Sequence, residues 1–296
     1  MLIDIHVHVC RARHAGIARA NGTRYPTPDE LIATMDAHGI DKALCMGTVN
    51  PAYRYTLVAA EELVEIAAEY LERLIPCCPM DPRWMLNDPA SDFRPMMEAY
   101  KHAGCRCIGE YIPNIPLDDP LNMNLFAQAG EVGLPVTIHI ASRVGNCYGL
   151  VDEPGLPRLE KVLKTFPDLI VLGHSQPFWA EIGIMDDPPG QRNGYPEGPV
   201  RPGRLVELMR GYPNLLGDLS AGSGFNAISR DAEFGSSFME EFQDRLFFGT
   251  DIANVPQDLP IVAYFAKLKS ESLISDDAHD KITWRNADRL LGLGLA

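Results

Sequence analysis

The sequence predicts an α/β protein folded as one (β/α)8 barrel, a TIM barrel, over residues 1–296 with an additional C-terminal helix. Three observations predict it. Eight short apolar runs alternate with longer segments of helical periodicity, and the runs begin about every 30 to 40 residues, the spacing of a βα unit. Most runs are continuously apolar, as strands buried on both faces are. Six ionisable residues fall at the carboxyl ends of five of these runs, the end at which a barrel carries its active site.

The predicted strands are Leu2–Val7, Lys42–Val49, Leu74–Pro79, Cys105–Tyr111, Pro135–Ile140, Leu169–Gly173, Leu215–Leu219 and Arg245–Gly249. The first predicted helix, Thr27–His38, opens with a Thr-Pro-Asp-Glu cap and stops at Gly39. Leu57–Leu74, Phe93–Ala103, Leu121–Val132, Leu159–Phe166, Arg204–Met209, Phe238–Phe242 and Ile261–Leu268 fill the later gaps. Asp186–Gly203 holds five prolines and four glycines and reads as a long loop after strand six, positioned to act as a lid. Asp276–Leu293 reads as the extra helix. An open doubly wound sheet also alternates strands with helices, but the eightfold count favours closure.

Composition narrows the function. With 26 Lys and Arg against 40 Asp and Glu, the net charge is −14, which argues against a nucleic-acid binder. No apolar run is long enough for a membrane span, and Met1–Val9 is interrupted by Asp4, unlike a signal peptide. The seven cysteines show no CxxC spacing; Cys77, Cys78, Cys105 and Cys107 sit in apolar runs and read as reduced core thiols. The expectation is a cytoplasmic protein acting on a small molecule, with a homodimer as one assembly.

The chemistry starts from His6 and His8 in Ile3-Asp4-Ile5-His6-Val7-His8. A strand repeats every two residues, so both imidazoles face one side and can hold one divalent metal. An isolated HxH is weak evidence. Glu110 after strand four, His139 after strand five, His174 after strand six and Asp251 after strand eight give it weight. Groups of this kind gathered at one mouth need a metal to balance them. A structural zinc site would close with Cys and His at short spacing, whereas ligands spread over five strands leave open positions and favour catalysis.

The order HxH, Glu, His, His, Asp resembles the amidohydrolase superfamily. Leu134-Pro135-Val136-Thr137-Ile138-His139 and Phe248-Gly249-Thr250-Asp251 are similar to its amidohydrolase-related branch, which contains aminocarboxymuconate-semialdehyde decarboxylase-like enzymes as well as hydrolases. The resemblance implies a divalent metal cofactor, zinc first, with manganese or iron also suited, as one ion or two. It makes His6, His8 and Asp251 ligands of the principal metal. In decarboxylase-like members the counterpart of His139 is a ligand and that of His174 an acid/base. Glu110 departs from that pattern and is similar to the Glu of TatD-like hydrolases, which bridges two metals; His139 and His174 would then hold the second ion. Asp251 and His174 are therefore the expected catalytic groups. Glu110 favours hydrolysis of an amide, lactone or ester C=O, with non-oxidative decarboxylation or hydration as the alternative.

For the substrate, Arg13 and Arg143 are candidate carboxylate partners, alongside Arg11, His14, Arg19 and Arg24 on the first loop. Phe178 and Trp179 are candidates for an apolar wall. Asp81, Asp218 and Ser220 are further candidates to face the pocket.

Overall fold

The computed structural model describes residues 1–11, 19, 22–53 and 56–295. Eight parallel strands form the ring: β1 (Ile3–His8), β2 (Lys42–Met46), β3 (Leu74–Pro76), β4 (Ile108–Tyr111), β5 (Val136–Ala141), β6 (Val171–His174), β7 (Leu215–Asp218) and β8 (Leu246–Phe247). Strands β1–β2–β3 and β4–β5–β6–β7–β8 pair in order. Two seams join these arcs. Arg106 N donates to Pro76 O at 3.1 Å and Cys78 N to Cys107 O at 2.9 Å, linking β3 to β4. Ile5 N donates to Phe248 O at 3.0 Å and His8 N to Ile252 O at 2.7 Å, linking β1 to β8.

Helices α1 (Pro28–His38), α2 (Ala60–Glu69), α3 (Arg94–His102), α4 (Pro120–Val132), α5 (Pro157–Thr165) and α6 (Arg204–Gly211) follow β1 to β6 in turn. The cap read in the sequence is present: Thr27 Oγ1 accepts from Glu30 N, and the Glu30 carboxylate accepts from Thr27 N at 2.9 Å. Gly39 at φ 68° ends α1. Buried Ile5, Val7 and Leu44 pack with Leu31 and Met35 of α1 and Leu63 of α2. A second core joins Ile138, Val171 and Leu215 to Phe126 of α4 and Leu163 of α5. Core burial of such side chains stabilises by about 1.5–3 kcal/mol each. All seven cysteines are free, and six are buried, as core thiols should be.

Two segments differ from the sequence expectation. After β7 there are two helices, α7 (Ala221–Ser229) and α8 (Ala232–Glu241), rather than one. The Ala-Gly-Ser-Gly start of α7 has poor intrinsic helix propensity, so tertiary packing rather than local preference makes it a helix. After α9 (Pro260–Ser270), the C-terminal helix is Asp276–Asp280 and Asn286–Leu291 joined by a π-turn at Lys281–Arg285. Ile282 O in that turn accepts from Phe248 N at 2.9 Å, so the wider turn serves the end of β8. The Pro/Gly-rich loop is tied down. Buried Arg192 donates to Asp152 O at 2.6 Å and lies 3.2 Å from Glu181, and Ile184 N donates to Arg201 O at 2.8 Å. No described helix is long and apolar enough to cross a membrane.

Two measurements test this packing. A Cβ on Gly173 would lie 2.1 Å from the ring of buried Phe178, so Gly173→Ala is expected to destabilise by about 1–3 kcal/mol through overpacking; an unchanged urea midpoint would contradict it. The Arg24 guanidinium and the Thr27 N–H hold the Glu30 carboxyl down to about 2, from an ordinary 4.5. Its stabilisation is therefore complete above 4.5 and is lost as pH falls toward 2. Glu30→Gln should flatten the acid side of a Tm-against-pH curve, and an unaltered slope between pH 5 and 3 would count against the pair.

Candidate metal centre

Asp4, His6 and His8 alternate along β1 and so project to one side of it. Asp4 ties the strand to its neighbour across the seam: its carboxylate accepts from His6 N and Thr250 N, both at 3.0 Å, and from the Thr250 hydroxyl at 2.5 Å. Burial raises the Asp4 carboxyl to about 7 despite these bonds. One residue beyond Thr250, Asp251 turns back onto β1, its N–H donating to His6 O at 2.9 Å. Its φ of 57° is left-handed, a conformation costing about 1–3 kcal/mol for a non-glycine residue and held here by that bond and by Gln257 Nε2 on Asp251 O at 2.8 Å.

Two donor groups result. In the first, His6 Nε2 and His8 Nε2 are 3.3 Å apart, and Asp251 Oδ1 lies 3.9 Å from the former and 3.3 Å from the latter. In the second, Glu110 of β4, His139 of β5 and His174 of β6 converge, with Glu110 Oε1 2.7 Å from His139 Nδ1. Glu110 also reaches toward the first group, its Oε2 lying 3.7 Å from His8 Nε2. All six residues singled out in the sequence are thus brought to one mouth.

Asp218 at the end of β7 lies beneath them. Its Oδ2 is 2.7 Å from His6 Nδ1 and 3.5 Å from His174 Nδ1, and Ser220 Oγ is 3.0 Å from His174 Nδ1. Burial opposes a charge on His6, but Asp218 outweighs it and lifts the ring to about 10. Burial and the neighbouring His6 charge push His174 down to about 4. Burial also opposes ionisation of Glu110, Asp218 and Asp251. Against it, His139 acts on Glu110, His6 on Asp218 and His8 on Asp251, and all three carboxyls are held below their usual range.

These residues fit a divalent metal. The ionised Asp218 accepts from His6 Nδ1 and leaves Nε2 facing His8 and Asp251, where a bound cation would take the place of the Nε2 proton. His8 Nδ1 is buried without a hydrogen-bond partner among the described residues, which leaves Nε2 as its polar contact point. Three ionised carboxylates, Glu110 and Asp218 buried and Asp251 half-buried, stand with the imidazoles as a nitrogen and oxygen donor set of the kind zinc or manganese takes. The rings are also fixed by packing: His8 stacks on Tyr25 at 5.0 Å and His139 leans on Tyr148 at 4.7 Å.

The mouth opens into a cavity of about 440 Å³ reached by His8, Glu110, His139, His174 and Asp251. Arg19 lines it, donating to Ala253 O at 3.0 Å and to Asn254 Oδ1, with its guanidinium over Tyr25. Tyr53, Tyr148, Tyr195 and Phe225 supply its aromatic walls. Tyr195 comes from the Pro/Gly-rich loop, so that loop does reach the site.

Other sequence candidates fall elsewhere. Phe178 and Trp179 are corrected: neither lines the cavity. Both are buried in the core, Phe178 against Gly173 and Trp179 donating from Nε1 to Asp218 O at 2.8 Å. A short helix directly after β6 turns them away from the mouth and presents Gln176 to it instead. Asp81 is occupied by Arg83 and Asn50. Arg11 pairs with Glu69, and Arg24 with Glu30. Arg143 lies beside the mouth. Arg13 and His14 lie outside the described residues. The sequence reading passed over Asp4 and the tyrosines. Asp4 had a signal, as a charge inside an apolar strand in phase with both histidines; the tyrosines, on irregular loops, had none.

Comparison with known proteins extends the reading. No curated protein matches the chain. Among solved structures it is similar to a 5-carboxyvanillate decarboxylase from Novosphingobium aromaticivorans (17% identity, 99% of this chain and 96% of that one, TM-score 0.64). It is also similar to an uncharacterized TIM-barrel protein from Bordetella bronchiseptica (19% identity, 98% of each chain, TM-score 0.63). A third is a Pseudomonas putida structure named "Putative 2-Pyrone-4,6-Dicarboxylic Acid Hydrolase" (16% identity, 100% of this chain and 98% of that one, TM-score 0.62). These likenesses show the barrel fold. The model of the amidohydrolase family matches residues 3–293, nearly the whole sequence, and the chain belongs to that family.

Proposed function

We propose that the protein is a metal-dependent hydrolase cleaving an amide, lactone or ester C=O of a small carboxylate-bearing substrate. The observation that carries this reading is the position of Glu110, with one oxygen on His139 and the other turned toward His8. It links two donor groups that together supply ligands for two ions. A divalent metal held there, zinc or manganese, lowers the pKa of water toward neutrality and polarises a carbonyl oxygen. Asp251, ionised and partly open to the cavity, orients the attacking water, accepts its proton on a carboxylate oxygen and returns it to the leaving group. His174 is kept neutral, with Nδ1 held by Ser220 and Nε2 left to hydrogen-bond or ligate. Arg19 offers a cation to the substrate carboxylate, and the tyrosines exclude water around an apolar body.

A second reading, decarboxylation of an unsaturated or aromatic acid, is favoured by the same Glu110–His139 contact. If Glu110 only orients His139, one ion remains, and His174 becomes a proton donor to carbon. One similar structure carries a decarboxylase name and another a hydrolase name, so the products must separate the two.

The experiment is to load the protein with zinc or manganese and offer lactones, aryl esters, N-acyl amino acids and hydroxybenzoates. Acid release without CO2 is expected; CO2 as the product would replace hydrolysis by the second reading. Asp251→Asn should keep the fold and lower turnover by about 10²–10⁴-fold, and a fully active variant would remove Asp251 as proton carrier. Asp218→Asn should weaken metal affinity by about 10–100-fold, because His6 loses the charged acceptor that fixes its tautomer and raises its basicity; unaltered affinity in a metal titration would refute that role.

A further inference from the structure

Beside the mouth, a second recess of about 310 Å³ shares His139, Tyr148 and Gln176 with the main cavity. Its remaining lining comes from the end of β5, the loop after it, Pro177 and Asn193 of the Pro/Gly-rich loop. The two cavities therefore adjoin at His139, next to the metal donors.

The charge of this annex is unusual for the chain. The protein carries a net −14, and the main cavity contains Glu110, Asp251 and Asp258. None of the residues lining the annex is acidic, and one of them, Arg143, is a cation. Arg143 is exposed, and its guanidinium meets no acceptor, carboxylate or ring among the described residues. By contrast Arg11, Arg24, Arg83 and Arg158 are all committed to carboxylates.

The backbone that carries Arg143 is built rather than loose. Asn114, buried beside the loop, donates through Nδ2 to Arg143 O and to Gly149 O, both at 3.1 Å, and its Oδ1 accepts from Gly145 N at 2.5 Å. Cys147 Sγ donates to Arg143 O at 3.1 Å. Gly149, at φ 107°, lets the loop close against His139; a Cβ there would sit 2.6 Å from His139 O. One side chain therefore clamps both ends of the loop to the segment that follows β4. The clamp fixes the backbone and leaves the guanidinium to face a ligand, the arrangement that lowers the ordering cost of binding.

We propose that the annex is a distal anion subsite in which Arg143 reads a second carboxylate, or a group of like charge, on the substrate. The proposal rests on the reading of the main cavity given above and narrows its substrate to a dianion long enough to reach past His139. Arg143 is then a specificity-determining residue, since a fixed guanidinium fork pairs with a carboxylate through two parallel hydrogen bonds.

The test uses the metal-loaded protein with two dicarboxylates, adipate and terephthalate, against their monoacid counterparts hexanoate and benzoate, measured by calorimetry. At least one dicarboxylate is expected to bind about tenfold tighter than its monoacid. Arg143→Gln should abolish that preference while leaving monoacid affinity in place, and Arg143→Lys should restore part of it. Cys147 gives a readout independent of turnover. It lines the annex and is the one cysteine not buried, so its alkylation by iodoacetamide should slow with the dicarboxylate and not with the monoacid. Equal affinity for diacids and monoacids, or a preference that survives Arg143→Gln, overturns the subsite but leaves the hydrolase reading standing. If no carboxylate of either kind binds, the reading of the main cavity fails and the subsite fails with it.

Discussion

The contact between His6 Nδ1 and Asp218 Oδ2, 2.7 Å long and wholly buried, sets the terms for everything around it. A carboxylate at zero exposure needs a partner that carries or shares a proton. His6 is that partner, and the demand decides which of its nitrogens is protonated. The other nitrogen faces His8 and Asp251, where a bound cation would take the place of its proton. Asp218 also reaches His174, and the like charge at His6 disfavours a second proton there. One buried carboxylate thus favours a proton on His6 and, through that charge, disfavours one on His174.

No single strand could hold this arrangement. His6 and His8 come from β1, Asp218 from β7 and Asp251 from the turn after β8, so the first donor group exists only because the ring closes between β8 and β1. The Asp4–Thr250 bonds reinforce the backbone bonds of that closure, just below the ligands. Trp179 acts in the same sense from the shell: its indole N–H takes up the Asp218 carbonyl, so the backbone of the central carboxylate is pinned from the side away from the cavity. The left-handed backbone of Asp251 is tolerated because the closed ring supplies its hydrogen bonds.

Much of this was legible in the sequence, for identifiable reasons. All eight strands are found where continuous apolar runs mark them, and parallel strands buried on both faces leave that mark most clearly. The six mouth residues were legible because ionisable side chains at the ends of apolar strands stand out, and β1 shows two of them in one phase. Helix α7 was hidden because two glycines and two serines give it no local preference. Phe178 and Trp179 were misjudged for a different reason. Nearness in sequence to His174 says nothing about direction, and the helical turn starting at Gln176 rotates both rings into the core. Asn114 and Gly149 carry no motif at all. Their role appears only when two loops, joined by bonds between residues 29 and 35 apart in the chain, are seen together.

The central claim is that the six residues at the barrel mouth form one metal centre organised by His6. Metal analysis combined with anomalous scattering at the absorption edge of the bound metal tests it most directly. The account predicts stoichiometric metal, one or two ions per chain, with His6 Nε2, His8 Nε2 and Asp251 around the first and imidazole nitrogens at about 2.0–2.1 Å if the metal is zinc. A second ion would lie against Glu110, His139 and His174. Purified protein without stoichiometric metal that also takes none up when it is offered, or an ion bound away from His6 and His8, would contradict it.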